Sequence, residues 1–310
     1  MTTPLRTLAP AKINLTLEIL GRRDDGFHDL ASVAHTLDLA DTVRLAPPAP
    51  DDITARRVDF RDESGNPLPA PQAEIVARTW AHLCAHTGRD LPGRVTIQKR
   101  IPIAAGLGGG SSDAAAFLRL ANQFWDLALS PNDLASIGAT VGSDVPLLLH
   151  GGALLMQGRG ERITPLPDTT GWIGLLFTPE LPLPAAKTAT MFSALRPRHF
   201  SDGARTHALA AKLAQAQPPS PEDLFNSFDT IVGEVLIGVA AHRRRFATAA
   251  RAVPILAGAG PSLFLVTAPS DLDAFAALAT QLSASGGRAQ LVHPLSRHHA
   301  TAVQPVSVES

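Results

Sequence analysis

From Ala11 to Ile19 the sequence AKINLTLEI alternates, with Ala11, Ile13, Leu15, Leu17 and Ile19 on one face and Lys12, Asn14, Thr16 and Glu18 on the other. A period of two predicts a half-buried β-strand with a solvated polar face. The loop GRRDDGFHDL follows. ASVAHTLDLA, DTVRLA and ITARRVDF then continue the strand pattern around the proline-rich APPAPDD, so the chain opens as a mostly antiparallel sheet. The period changes at AEIVARTWAHLCAHTG, where Ile75, Val76, Trp80, Leu83 and Cys84 recur at helical spacing and Gly88 ends the run. RVTIQKRI alternates again. After the glycine run GLGGGSSD, AAAFLRLANQFWDLAL predicts a helix with a broad apolar face, SPNDLASIGATVGSDVPLLLHGG two short helices, and GGALLMQGRGERITPL a hairpin.

The pattern starts afresh near Thr164: strand GWIGLLF, helices KTATMFSAL and EDLFNSFDTIVGEVLIGVAAHRR, strands around ILAGAGPSLFLV, helix DLDAFAALATQL and strand AQLVH. Two α+β domains, residues 1–163 and 164–310, are the economical division. Residues 196–221 read as an appended excursion holding an alanine-rich helix, and TAVQPVSVES as a loose tail.

Composition narrows the class. With 310 residues, 45% of them hydrophobic, the chain can bury the cores of two domains. Its 27 basic and 28 acidic residues leave a net charge of -1, so no global field recruits nucleic acid or anionic lipid, and any anionic ligand must be held locally. The basic run HRRRF at 242–246 reads as a solvated helix end. A single cysteine, Cys84, excludes an internal disulfide framework and suits a reducing, cytoplasmic setting. The N-terminus has no signal-peptide pattern, and no charge-free apolar window is long enough to span a membrane. Arginine outnumbers lysine 23 to four, the lysines being Lys12, Lys99, Lys187 and Lys212.

Three stretches carry candidate chemistry. GLGGGSSDAAA (106–116) joins a strand to a helix rather than a domain to a domain, so it reads as a phosphate cradle in preference to a linker. Glycine at Gly106, Gly108, Gly109 and Gly110 lets backbone N–H groups approach a ligand, and a helix start attracts anions. Ser111 and Ser112 add hydroxyls. Asp144 precedes Val145 and Pro146, the place of a helix N-cap as much as of a catalytic carboxylate. LAGAGPSLF, with Gly258, Gly260 and Pro261, fits a hairpin turn or a second backbone approach to a ligand.

PAKINLTLEILGRRDDGFHDL, KRIPIAAGLGGGSSDAAA, GSDVPLLLHGG and LAGAGPSLF occur in this order, and together they resemble the GHMP small-molecule kinases. The opening segment is similar to the branch of that superfamily that acts on 4-diphosphocytidyl-2-C-methyl-D-erythritol. The resemblance spans nearly the whole chain and is weakest at 44–72 and 196–221. It implies an α+β fold in two parts, an N-terminal domain with a left-handed β-α-β crossover and a C-terminal ferredoxin-like domain, with the active site in the cleft between them. It also implies ATP-dependent phosphorylation of the substrate's 2-hydroxyl in the non-mevalonate isoprenoid precursor pathway. Another GHMP kinase activity (homoserine, mevalonate or sugar) and a non-catalytic ATP and metabolite sensor are the alternatives.

Carried over residue by residue, the resemblance implies Lys12 and Asp144 as the catalytic pair. It implies ATP binding by Lys99 and by the run Pro102, Ile103, Ala104, Ala105, Gly106, Leu107, Gly108, Gly109, Gly110, Ser111 and Ser112. Asn14, Phe27, His28, Thr188 and Phe192 would bind the substrate, the aromatic rings stacking on cytosine. The chain has no tyrosine, and phenylalanine stands where the branch commonly has tyrosine; Glu74 stands where it often has asparagine. No cluster of metal ligands is evident, so Mg²⁺ is expected to arrive with ATP. The expected partner is a small molecule carrying a cytidine diphosphate group, with neither nucleic acid nor membrane, and the chain is expected to be a monomer or weak homodimer.

Overall fold

The alternation at the start of the chain builds a long strand. β1 (Leu5–Arg22) turns at 24–26 into β2 (His28–Ala46), its antiparallel neighbour. The computed structural model describes residues 3–51, 55–70 and 74–306; Ile53 and Thr54 of the expected strand ITARRVDF and the last four residues of TAVQPVSVES lie outside them. β3 (Arg56–Arg61) and β4 (Pro67–Leu68) form a short hairpin, and α1 (Ile75–Thr87) leads to β5 (Gly93–Gln98), which runs parallel to β3. α2 (Gly109–Phe124), α3 (Pro131–Val141) and α4 (Val145–His150) follow, then the hairpin β6 (Ala153–Gly158) and β7 (Arg162–Pro165). The far half of β2 pairs with β5 and its near half with β6, so one strand serves two arms of the sheet.

The second half contains β8 (Ile173–Pro179), α5 (Lys187–Ala194), α6 (Ala204–Ala214), β9 (Phe225–Asn226), α7 (Val232–Val235) and α8 (Val239–Ala250). β10 (Ile255–Leu256), β11 (Leu263–Thr267), α9 (Leu272–Ser283), β12 (Gly287–Val292), α10 (Arg297–Thr301) and β13 (Val303–Pro305) complete it. β10, β11, β8 and β12 lie side by side, all antiparallel. In chain order these are β8, β10, β11 and β12, with helices after the first and third, the split β-α-β order expected of a ferredoxin-like unit.

Local chemistry sets the element ends. Ser130 and Asp133 form a reciprocal capping box at α3, and Glu74 caps α1. The apolar face of α2 buries Phe117, Leu118, Leu120 and Ala121, with Trp80 of α1 stacked 5.0 Å from Phe117.

Several expectations are corrected. The polar side of β1 is not solvated: Lys12, Asn14, Thr16 and Glu18 are 5%, 3%, 0% and 1% exposed. Nor is it a single face. Register shifts between Pro10 and Lys12 and between Asn14 and Thr16 re-aim the strand, as bulges do. Glu18 accepts a hydrogen bond from the Thr206 N–H at 2.8 Å, and the Thr206 hydroxyl bonds that of Thr16 at 3.0 Å. The excursion at 196–221 is therefore the cover of β1, not an appendage. The long helix expected from 222 is broken, because Asn226 leaves it to bond Leu256 O and Gly258 O, each at 2.8 Å. α8 begins only at Val239, so HRRRF lies within it rather than at its end. Part of the expected tail is β13, paired antiparallel with β1. The boundary expected at 163/164 falls inside β7, and β9 and β13 return to the first sheet.

Candidate active site

The glycine run follows β5 as a loop that ends in α2. Gly106 has φ +85°, and a Cβ there would stand 2.2 Å from Ala257 O and 2.8 Å from Gly260 O. Only a residue without a side chain fits where these two loops meet, so LAGAGPSLF is more than a hairpin turn: it braces the glycine run. Gly108, at φ +74°, is the N-cap of α2 and offers no side-chain cap, so the first N–H groups of the helix keep no side-chain partner. A Cβ on Gly108 would lie 3.1 Å from Lys12 Cγ, which places the lysine stem against the helix start. α2 begins at Gly109, two residues earlier than the serines suggested. Ser111 lines the cleft, whereas Ser112 is fully buried and its hydroxyl has no partner. The structure thus does not bring Ser112 to the ligand side, since successive helix residues point about 100° apart.

Lys12 and Asp144 come together from β1 and the head of α4, Nζ to Oδ2 at 3.1 Å. Lys12 also donates to Asn14 Oδ1 at 2.9 Å, and Asn14 Nδ2 donates to Ser32 Oγ at 2.8 Å, which orients the amide. Asp144 occupies the N-cap position of α4 but accepts no capping hydrogen bond. Its side chain is 32% exposed against 6% for Lys12, so the carboxylate opens to the cleft from a buried cation.

Lys99 sits differently from the expectation of a nucleotide neighbour. Its ammonium reaches Asp41 Oδ2 at 2.5 Å and Asp113 Oδ2 at 2.6 Å, while the other oxygen of Asp41 accepts from the N–H groups of Arg100 and Ile101. Burial works against the Lys99 charge, but Asp113 and Asp41 outweigh it and its pKa lies above the usual lysine value. Burial drives Asp113 well above the carboxylate range, Asp41 adding to the effect and Lys99 opposing it. Lys99 still touches the cleft wall, but its charge is committed to anchoring α2.

At the far end, Phe27 on the β1–β2 turn is 54% exposed, with the Arg159 guanidinium 4.8 Å over its ring. His28 lies 5.2 Å from Phe192 and 6.1 Å from Phe200, and Phe192 meets Phe228 edge-on at 4.9 Å. Burial, then the charge of Arg22, lowers the His28 pKa, so near neutral pH its imidazole can both donate and accept a hydrogen bond. Thr188 lines the same end from α5. Glu74 borders the cleft but is occupied as a cap, accepting from the N–H groups of Val76 at 2.8 Å and of Ala77.

One cleft of about 1290 Å³ gathers Lys12, Asn14, Phe27, His28, Lys99, residues 102–111, Asp144, Thr188 and Phe192. Of the expected site residues, Ser112 alone does not line it. Sequence reasoning missed Arg159, Phe200 and Phe228, which reach the aromatic end of the cleft only through tertiary packing. It also missed Lys187, for which the scarcity of lysine was a usable signal.

Residues 74–152 match the GHMP kinases N terminal domain. A 4-diphosphocytidyl-2-C-methyl-D-erythritol kinase of Dehalococcoides mccartyi is 38% identical over 262 residues, 84% of this chain and 88% of that one. The chain belongs to the 4-diphosphocytidyl-2-C-methyl-D-erythritol kinase family. A crystal structure of a 4-(cytidine 5'-diphospho)-2C-methyl-D-erythritol kinase matches with a TM-score of 0.73 at 27% identity, covering 94% of this chain and all of that one. A homoserine kinase from Cytophaga hutchinsonii matches with a TM-score of 0.70 at 14% identity, covering 99% of this chain and 98% of that one. That second likeness shows a shared fold alone, so within the GHMP fold it is family membership, not architecture, that separates the acceptors. Among the described residues no helix is long and apolar enough to cross a membrane.

Proposed function

We propose that this chain transfers the γ-phosphoryl group of ATP to the 2-hydroxyl of 4-diphosphocytidyl-2-C-methyl-D-erythritol, in the non-mevalonate route to isoprenoid precursors. The observation that carries the reading is the Asp144 carboxylate. It stands at a helix head without capping it, is paired with buried Lys12, and shares a cleft with the uncapped start of α2. ATP supplies the phosphoryl group and the leaving group. Asp144 accepts the proton of the substrate hydroxyl, an arrangement typically worth about 10² to 10⁴ in rate. Lys12 stands beside Asp144 and polarises the acceptor oxygen, while Asn14 and Ser32 hold Lys12 in place. The N–H groups at Gly109 and Gly110 and the glycine-lined wall receive phosphate oxygens, and Ser111 offers a hydroxyl.

The glycine loop fits a nucleotide polyphosphate, since the helix start behind Gly108 has no side-chain cap and opens on the cleft. Mg²⁺ would be carried on the nucleotide's own oxygens, as a cation commonly held by substrate phosphates with few protein ligands. In this reading β1, the glycine loop and the head of α4 bring the phosphate cradle and the Lys12–Asp144 pair, and α5 brings Thr188 and Phe192. The lone Cys84 supports a cytoplasmic setting.

An ADP-release assay across alcohols tests the assignment. Turnover is expected with the cytidine-capped methylerythritol and not with homoserine, mevalonate or galactose. Comparable turnover of an uncapped alcohol would point to another member of the superfamily, and no turnover at all to a ligand sensor. At the nucleobase end, Phe27→Ala is expected to raise KM for the capped acceptor in line with the loss of about 1 to 3 kcal/mol of stacking, leaving KM for ATP unchanged. An equal rise in both KM values would remove Phe27 from the acceptor site.

A further inference from the structure

Three of the four lysines hold an ion pair, Lys12 with Asp144, Lys99 with Asp41 and Asp113, and Lys212 with Asp223. Lys187 has no carboxylate partner among the described residues. It opens α5, is 9% exposed, and lines the cleft. Its ammonium donates to Ala104 O at 2.7 Å and to Gly260 O, one carbonyl from the glycine run and one from the loop that braces it. Two of its three N–H donors are thereby satisfied by neutral groups, and its charge is not neutralised. A buried cation in that condition is costly unless an anion joins it. The cleft is where such an anion would come, and the charges of Lys12 and Lys99 are already engaged by carboxylates.

We propose that Lys187 is a phosphate-binding residue of the cleft, its ammonium meeting a phosphate oxygen of a bound nucleotide beside Lys12 and the start of α2. The proposal rests on the phosphotransfer reading and adds a residue to it. The oxygen can belong to ATP or to the diphosphate of the capped acceptor, because Lys187 touches the glycine run while the next residue, Thr188, lines the nucleobase end.

Protonation makes the role measurable. Burial, then the positive charge of Lys12, pushes the Lys187 pKa down to about 8. The titratable groups around it are few. Lys12 of β1 is paired with Asp144, Glu234 of α7 is exposed and holds no ion pair, and His28 of β2 stands against Phe192. α5 itself and residues 102–108 and 257–261 carry no other titratable side chain. A phosphate oxygen beside the ammonium favours its charged form, so binding takes up a proton where the free amine is partly neutral, and affinity falls as pH rises through about 8.

Calorimetric titration of the full chain with Mg-ADP, and separately with CDP, in buffers of different ionisation enthalpy at about pH 7 and about pH 8.5, reads this uptake. Uptake is expected to be larger at the higher pH in one of the two arms, and that arm names the nucleotide that Lys187 holds. In that arm Lys187→Met is expected to lose the pH-dependent uptake and to bind about tenfold more weakly. Lys187→Arg is expected to keep the affinity and lose the uptake, because a guanidinium does not titrate there. If Lys187→Met folds poorly, the arginine variant decides, and wild-type uptake in it overturns the proposal. Binding with unchanged uptake and affinity in both variants overturns the Lys187 assignment alone. A wild-type chain that binds neither ligand overturns the phosphotransfer reading and this assignment together.

Discussion

Replacing Asp144 with asparagine is expected to lower turnover by about 10² or more while nucleotide binding persists. The substitution keeps the shape of the side chain and removes its charge and its capacity to take a proton. No helix cap is lost, because the carboxylate accepts no N–H of α4. What is lost is the partner of a cation that is only 6% exposed, so Lys12 keeps its bond to Asn14 and its charge goes uncompensated. Some fall in stability is therefore expected alongside the fall in rate, and the two are separable. Turnover measured by ADP release reports the first, and thermal unfolding the second. ADP affinity, measured directly, should change far less than kcat. Near-normal turnover with a lowered melting temperature would reduce Asp144 to a structural partner of Lys12.

Much of this site was legible because its chemistry runs along the chain in short segments. The strand–glycine–helix succession from Val95 to Phe124 is local, and so is the helix start that makes a cradle of it. The two-residue spacing of Lys12 and Asn14 follows from the strand period. What alternation does not carry is the pair of register shifts in β1, which depend on how β2 lies against it. For that reason Lys12 and Asn14 reach the cleft while Thr16 and Glu18 meet Thr206 beneath α6.

The same limit explains the other departures. A position ahead of Val145 and Pro146 looks like a cap from sequence, and only the distance to Lys12 shows where the carboxylate went. Asn226 sits in a run whose apolar spacing is helical, yet it clamps a loop thirty residues on. Ser111 and Ser112 have the same chemistry, and helix rotation alone decides which of them faces a ligand. Lys99 and Asp113 are fourteen residues apart, and nothing in either neighbourhood predicts that Asp41 completes the group.

That group is where the largest loss of stability is expected. Lys99→Met removes the one ammonium between two carboxylates whose side chains are 0% and 3% exposed. Breaking a buried ion pair from one side typically costs about 3 to 5 kcal/mol, because the remaining charge keeps its desolvation penalty without its partner. The N–H groups of Arg100 and Ile101 still support one oxygen of Asp41, which leaves Asp113 with the larger share of the loss. Burial already drives the Asp113 carboxyl upward with Lys99 present, and without the lysine that opposition is gone. Its folded pKa then stands further above the unfolded value of about 3.9. A carboxyl raised in the folded state binds more protons there than in the unfolded chain, so stability rises as pH falls through the raised pKa and levels off near the unfolded one. Asp113 is raised in the unaltered chain as well, so the deficit of the variant, measured by urea unfolding, is expected to shrink as pH falls from the variant's higher Asp113 pKa to the unaltered one and to hold constant below both. A deficit below about 1 kcal/mol at neutral pH would mean that the carboxylates find water or a proton at little cost, and that α2 does not depend on Lys99 for its seat.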